Sequence, residues 1–131
     1  FNHRFLIALW RIRRRDDRNR SFGYTRSEIV MDEQLERTLH SIKDTFPVEA
    51  VYVFGSYANG SAHPDSDIDL LVVCTENPGD LFELTYEIRR YLHERIELAI
   101  DVVVTTTEQF KQRQNQPWTV EHVAHSEGVA V

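Results

Sequence analysis

Apolar positions along the chain switch repeatedly between a helical and an alternating spacing. Leu35, Leu39, Ile42 and Phe46 recur at helical intervals, with Asp32 placed to cap the helix and Pro47 to stop it. Residues 48–54 form a short apolar and aromatic run between Pro47 and Gly55, which predicts a strand. Residues 55–66 are dense in Gly, Ser, Asn and Pro and predict a loop with room for one helical turn. A second strand is expected over 67–73, where Ile68, Leu70 and Val72 face one way and Asp67, Asp69 and Leu71 the other. Asn77, Pro78 and Gly79 make a turn, and Asp80 caps a helix whose buried stripe is Leu81, Leu84, Ile88, Tyr91, Leu92 and Ile96. A third strand is expected over 98–104, followed by short helices around 109–114 and 119–126. The expected fold is α/β (α+β): a small mixed sheet of three to four strands flanked by helices.

A length of 131 residues gives one domain. A chain of this size buries roughly two-thirds of its unfolded surface, enough for a core without staples. An apolar fraction of 41% with 27% charged residues excludes collagen-like, low-complexity and wholly disordered classes. Cys74 is the single cysteine, which excludes an internal disulfide and a multi-cysteine zinc site and fits a reducing compartment. The apolar run at residues 5–10 falls far short of the roughly 20 residues that span a bilayer. Its basic residues follow it, where a secretory leader has them first. A soluble, cytoplasmic protein is expected, with no membrane association.

Charge divides the chain. Residues 1–30 carry eight arginines against three acidic residues, a net +5, while residues 31–131 carry seven basic and eighteen acidic residues, a net −11. A basic arm of this kind can serve nucleic acid. The expectation adopted here is plainer, since charge and pattern both change at Met31, the sole methionine. Residues 1–30 are expected to be a basic extension, non-native or disordered, and residues 31–131 the functional domain.

The residues with the most chemical content are Gly55-Ser56 and, after ten further residues, Asp67-Ile68-Asp69, joined by Asp101 on the third strand. Carboxylates at i and i+2 of a strand share a face, so Asp67 and Asp69 converge. Like charges so close repel unless a cation lies between them. Asp101 is the polar residue of an apolar strand run, costly there unless paired or metal-bound. Were the third strand beside the second, three carboxylates would make one hard-oxygen site suited to Mg²⁺. Gly55 lets backbone N–H groups approach a phosphate, and Ser56 adds a hydroxyl. A phosphate cradle facing carboxylates is what metal-assisted phosphoryl or nucleotidyl transfer requires. Two other motifs fail: Ser61 stands where a Walker A loop needs Lys, and Leu70 where an EF-hand needs Gly.

Gly55-Ser56-Tyr57-Ala58-Asn59-Gly60 with the run Ser66-Asp67-Ile68-Asp69-Leu70-Leu71-Val72 resembles the minimal nucleotidyltransferases of the DNA polymerase β superfamily. The resemblance covers nearly all of residues 31–131, including Glu127-Gly128-Val129 at the carboxyl end, and touches nothing in residues 1–30. It implies a polymerase β-like fold in which Asp67 and Asp69 hold two Mg²⁺ ions and Asp101 completes the catalytic metal site. It also implies that Gly55 and Ser56 bind the β- and γ-phosphates of ATP. Small members are commonly antitoxins paired with a HEPN-domain ribonuclease toxin, and some transfer AMP to a tyrosine of it. A hetero-oligomer with such a toxin is therefore expected, with no direct nucleic-acid contact. Many members carry Arg near the position of Asn59. The alternatives are a non-catalytic antitoxin acting by contact and, less well matched to so short a chain, transfer to a small molecule such as an aminoglycoside.

Other reactive residues have plainer readings. His63 is read as a solvated loop residue, and His122 and His125 as the polar face of a helix. Cys74 reads as a small core residue, Tyr57 as packing, and Arg89, Arg90 and Arg95 as the solvated side of their helix.

Overall fold

The computed structural model describes residues 26–55, 67–75 and 78–131, with side chains from residue 33 onward. Helix α1 (Arg26–Thr45) leads into β1 (Val48–Phe54). Strand β2 (Ile68–Cys74) and helix α2 (Leu81–His93) follow, then β3 (Ile100–Thr106). Helices α3 (Thr107–Arg113) and α4 (Val120–Glu127) precede the two-residue strand β4 (Val129–Ala130). The sheet order is β3-β2-β1-β4; β2 and β3 run parallel, and β1 is antiparallel to both β2 and β4. This agrees with the expected α/β fold of three to four strands flanked by helices; the hydrophobic pattern marked β1, β2 and β3, while the two-residue β4 is too short to carry one.

Alternation along β2 divides the interior into two layers. Ile68, Leu70, Val72 and Cys74 pack with Leu35, Leu39 and Ile42 of α1 and Leu84, Ile88 and Leu92 of α2. Leu71 and Val73 point to the opposite layer, against Phe110 of α3 and Ala124 of α4. Because β2 is covered on both faces, its sequence is almost continuously apolar from Ile68 to Cys74, with Asp69 the one break. In β1 strict alternation fails at Glu49. The register slips between Val48 and Ala50, which puts two residues of β1 against one of β2. The bulge is why Val48 and Val51, three apart, both reach the α1–α2 layer.

Several boundaries differ from the sequence reading. Helix α1 begins at Arg26, so Asp32 lies inside the helix and does not cap it. The helix therefore continues across position 31. The apolar stripe read from the sequence starts at Leu35, and nothing in that stripe marks the turns before it. Helix α2 ends at His93 with Glu94 as its C-cap, so Ile96 reaches the core from the connector. Strand β3 runs 100–106 instead of 98–104: the ladder to β2 opens at the bond from Ile68 N–H to the Ala99 carbonyl. At its other end Thr106 still pairs with Cys74 while its hydroxyl caps α3 through Gln109 N–H. The Asp80 cap stands as expected, accepting from Phe82 N–H at 2.8 Å. Ser56, Tyr57, Asn59 and His63, like residues 1–25, lie outside the described residues. Among the described residues no helix is long and apolar enough to cross a membrane.

Candidate active site

The parallel register between β2 and β3 sets Asp69 opposite Asp101, and the antiparallel register with β1 sets Phe54 opposite Asp69. Asp69 thus occupies the middle strand of three, flanked by Asp101 on one side and the end of β1 on the other. Asp67 precedes β2 by one residue and is exposed, as is Asp101; Asp69 is half-buried. All three belong to the layer that α3 and α4 cover farther along the strands, where Leu71, Val73 and Thr105 are buried. Beyond that cover Val103 is 40% exposed, so the sheet surface opens next to Asp101.

Electrostatics follow from this placement. The Asp69 carboxyl is held above the ordinary carboxylate range, first by burial and then by the charges of Asp101 and Asp67. Gly55 closes the other side of Asp69. Its φ is +73°, in the left-handed region, and a Cβ built there would collide with the Asp69 Oδ2 and lie 3.2 Å from its Cγ. Glycine is required twice at this point, by conformation and by the carboxylate packed against it.

Among the described residues no group of three or more His, Cys, Asp or Glu side chains is gathered tightly enough to enclose an ion. Asp67, Asp69 and Asp101 are neighbours, and Asp67 and Asp101 are open to solvent. Their chemistry fits Mg²⁺: hard oxygens, two of them exposed, whose mutual repulsion a divalent ion would relieve.

One buried carboxylate in the same layer had no signal in the sequence. Glu121, 1% exposed in the first turn of α4, accepts from the Thr105 hydroxyl and from Gln109 Nε2, both at 3.2 Å. Arg113 Nε lies 3.8 Å from its other oxygen. It ties α3 and α4 to β3 on the carboxylate face. A Glu in the first turn of a short helix is ordinarily a solvated complement to the helix dipole, so its burial was not legible beforehand. The two histidines also have structural duties: His122 Nδ1 donates to the Gln114 carbonyl at 2.8 Å, and His125 stands edge-on to Phe110 at 5.9 Å. Cys74 is fully buried in the core, as its place in an apolar strand implied.

A mixed sheet with paired helices on both faces, and carboxylates beside a glycine turn at one end, defines a nucleotidyl-transfer fold. The chain belongs to the nucleotidyltransferase domain family, which matches residues 35–129. It is 35% identical over 79 residues to a candidate protein adenylyltransferase of Methanocaldococcus jannaschii, an alignment spanning 60% of this chain and 77% of that one. To the protein adenylyltransferase MntA of Thermococcus cleftensis it is 36% identical over 66 residues, 50% of this chain and 65% of the relative. Its fold is similar to the crystal structure of a candidate nucleotidyltransferase from Sulfolobus solfataricus, with a TM-score of 0.53 and 27% identity. That match covers 79% of this chain and 81% of the other.

Proposed function

We propose that this protein transfers AMP from ATP to a hydroxyl of a partner protein. The observation that carries the reading is the register that sets Asp69 opposite Asp101 beside the left-handed Gly55. Membership of the nucleotidyltransferase family supports the reaction class, and relatives named as protein adenylyltransferases support a protein acceptor.

In this reading the acceptor oxygen attacks the α-phosphorus of ATP, a new P–O bond forms, and the bond to the bridging oxygen breaks to release pyrophosphate. Asp101, exposed at the open end of the site, accepts the hydroxyl proton. Gly55 and Ser56 hold the β- and γ-phosphates through backbone N–H groups and the Ser56 hydroxyl. Asp67, Asp69 and Asp101 would hold two Mg²⁺ ions. Bound there, Mg²⁺ supplies charge neutralisation for the phosphates and lowers the pKa of the acceptor hydroxyl. Gly55, by closing one side of Asp69, fixes where that carboxylate presents its oxygens.

The partner in this reading is a HEPN-domain ribonuclease toxin, as the family resemblance implies, and the chain is its antitoxin in the cytoplasm. The experiment is a transfer assay with α-labelled ATP, Mg²⁺ and the toxin encoded beside this chain, run in parallel with Asp69→Asn/Asp101→Asn. Label on the toxin from the wild type alone is the expected result. Equal labelling by the double variant would overturn the roles of these carboxylates. Absence of label with full neutralisation by both proteins would replace transfer by inhibition through contact.

A further inference from the structure

Helix α2 buries Leu84, Ile88 and Leu92 and turns two large side chains to solvent: Phe82 is 89% exposed and Tyr86 is 65% exposed. They are one turn apart, on the side opposite the buried stripe. Tyr86 lies within one residue of the middle of the helix. The charges on that side are ordered along the axis, with Glu83 and then Glu87 on the amino side of Arg89 and Arg90, all exposed. A helix dipole explains acidic and basic ends. It does not explain why two aromatics are presented to water between them.

We propose that α2 is a self-association surface, and that its partner is α2 of a second copy of this chain, packed antiparallel about a two-fold axis through Tyr86. An isologous contact requires a surface complementary to itself, and this one is. Reversing the helix about Tyr86 keeps each residue on its own flank, which puts Glu83 of each copy against Arg90 of the other, Phe82 against the Arg89 guanidinium, and Tyr86 against Tyr86. Each pair off the axis then occurs twice. Guanidinium–aromatic contact already operates within this chain, where Arg95 Cζ lies 3.7 Å over the Tyr91 ring. Arg90 donates its Nε to Glu94 at 3.2 Å, which leaves its terminal nitrogens for Glu83 of the other copy. One helix pair buries less than the roughly 800 Å² per partner of a standard interface, so the dimer is weak and concentration-dependent.

Sedimentation equilibrium of the full chain at roughly 10 to 500 µM, a range suited to interfaces below standard size, reads the proposal directly. The wild type is expected to show a monomer–dimer equilibrium, and Tyr86→Asp to weaken it about tenfold or more, the worth of one desolvated aromatic contact. Glu83→Arg should weaken it as well, and Glu83→Arg/Arg90→Glu should restore it. A wild type that stays monomeric across the range, or a double variant no better than Glu83→Arg, overturns the pairing. Oxidation of Tyr86→Cys supplies an independent check, since the native thiol of Cys74 is fully buried. A disulfide-linked dimer is expected, and failure to cross-link overturns the two-fold through Tyr86. Unchanged thermal unfolding of the variants confirms that these exposed positions report association and not folding.

Discussion

Asp69 and Asp101 face each other across the parallel strands β2 and β3, and this proximity works against the fold that creates it. Burial and the charges of Asp101 and Asp67 hold the Asp69 carboxyl above its ordinary range. The folded state therefore takes up a proton more readily than the unfolded chain. Stability from this group is fully present below the ordinary aspartate pKa, about 4, and is lost as pH rises through the higher folded value. Without divalent ions, Asp69→Asn should raise Tm at neutral pH, with the gain vanishing below about pH 4. A pH series of thermal melts in chelator checks this, and equal Tm values at neutral pH would contradict it.

Gly55→Ala should be costly in two ways. A left-handed φ costs a non-glycine residue about 1–2 kcal/mol, which urea unfolding would register. The added methyl also displaces the Asp69 carboxylate it would strike. A shift of about 1 Å at a reacting centre can cost roughly a hundredfold in rate, so transfer should fall much further than stability does.

Glu121→Ala removes the acceptor shared by Thr105 and Gln109. Thr105 is itself 1% exposed, so its hydroxyl is left buried and unsatisfied, a loss of about 1–3 kcal/mol by chemical denaturation. Arg113 is 43% exposed and returns to water, which keeps the loss below that of a fully buried pair. Glu121→Gln retains an acceptor oxygen and should lose less.

Gly128 is constrained by space alone, since its φ of −83° suits any residue. A Cβ there would collide with the Ala124 carbonyl and lie 2.9 Å from the Val53 carbonyl, both backbone. Gly128→Ala should cost about 1–3 kcal/mol, as overpacked sites do. It should also expose the amides that pair β4 with Tyr52 and Val53 to faster hydrogen exchange.

What the sequence determined by itself was the alternation of elements and the layer each side chain faces. Periodicity records burial directly: the period of two in β2 and the 3.6-residue stripe of α2 are properties of local geometry that need no partner to be read. The grouping of Gly55, Asp67, Asp69 and Asp101 was legible for a related reason, because charged residues and a glycine are conspicuous in apolar strand context. Tertiary structure decided everything that depends on which strand lies beside which. The pairing of Asp69 with Asp101, and the collision that makes Gly55 obligatory, follow from the order β3-β2-β1-β4, which no local pattern encodes. The bulge at Glu49 and the burial of Glu121 belong to the same class. A glutamate on a short helix carries the same local signal whether it meets water or, as here, the hydroxyl of Thr105 across a packed interface.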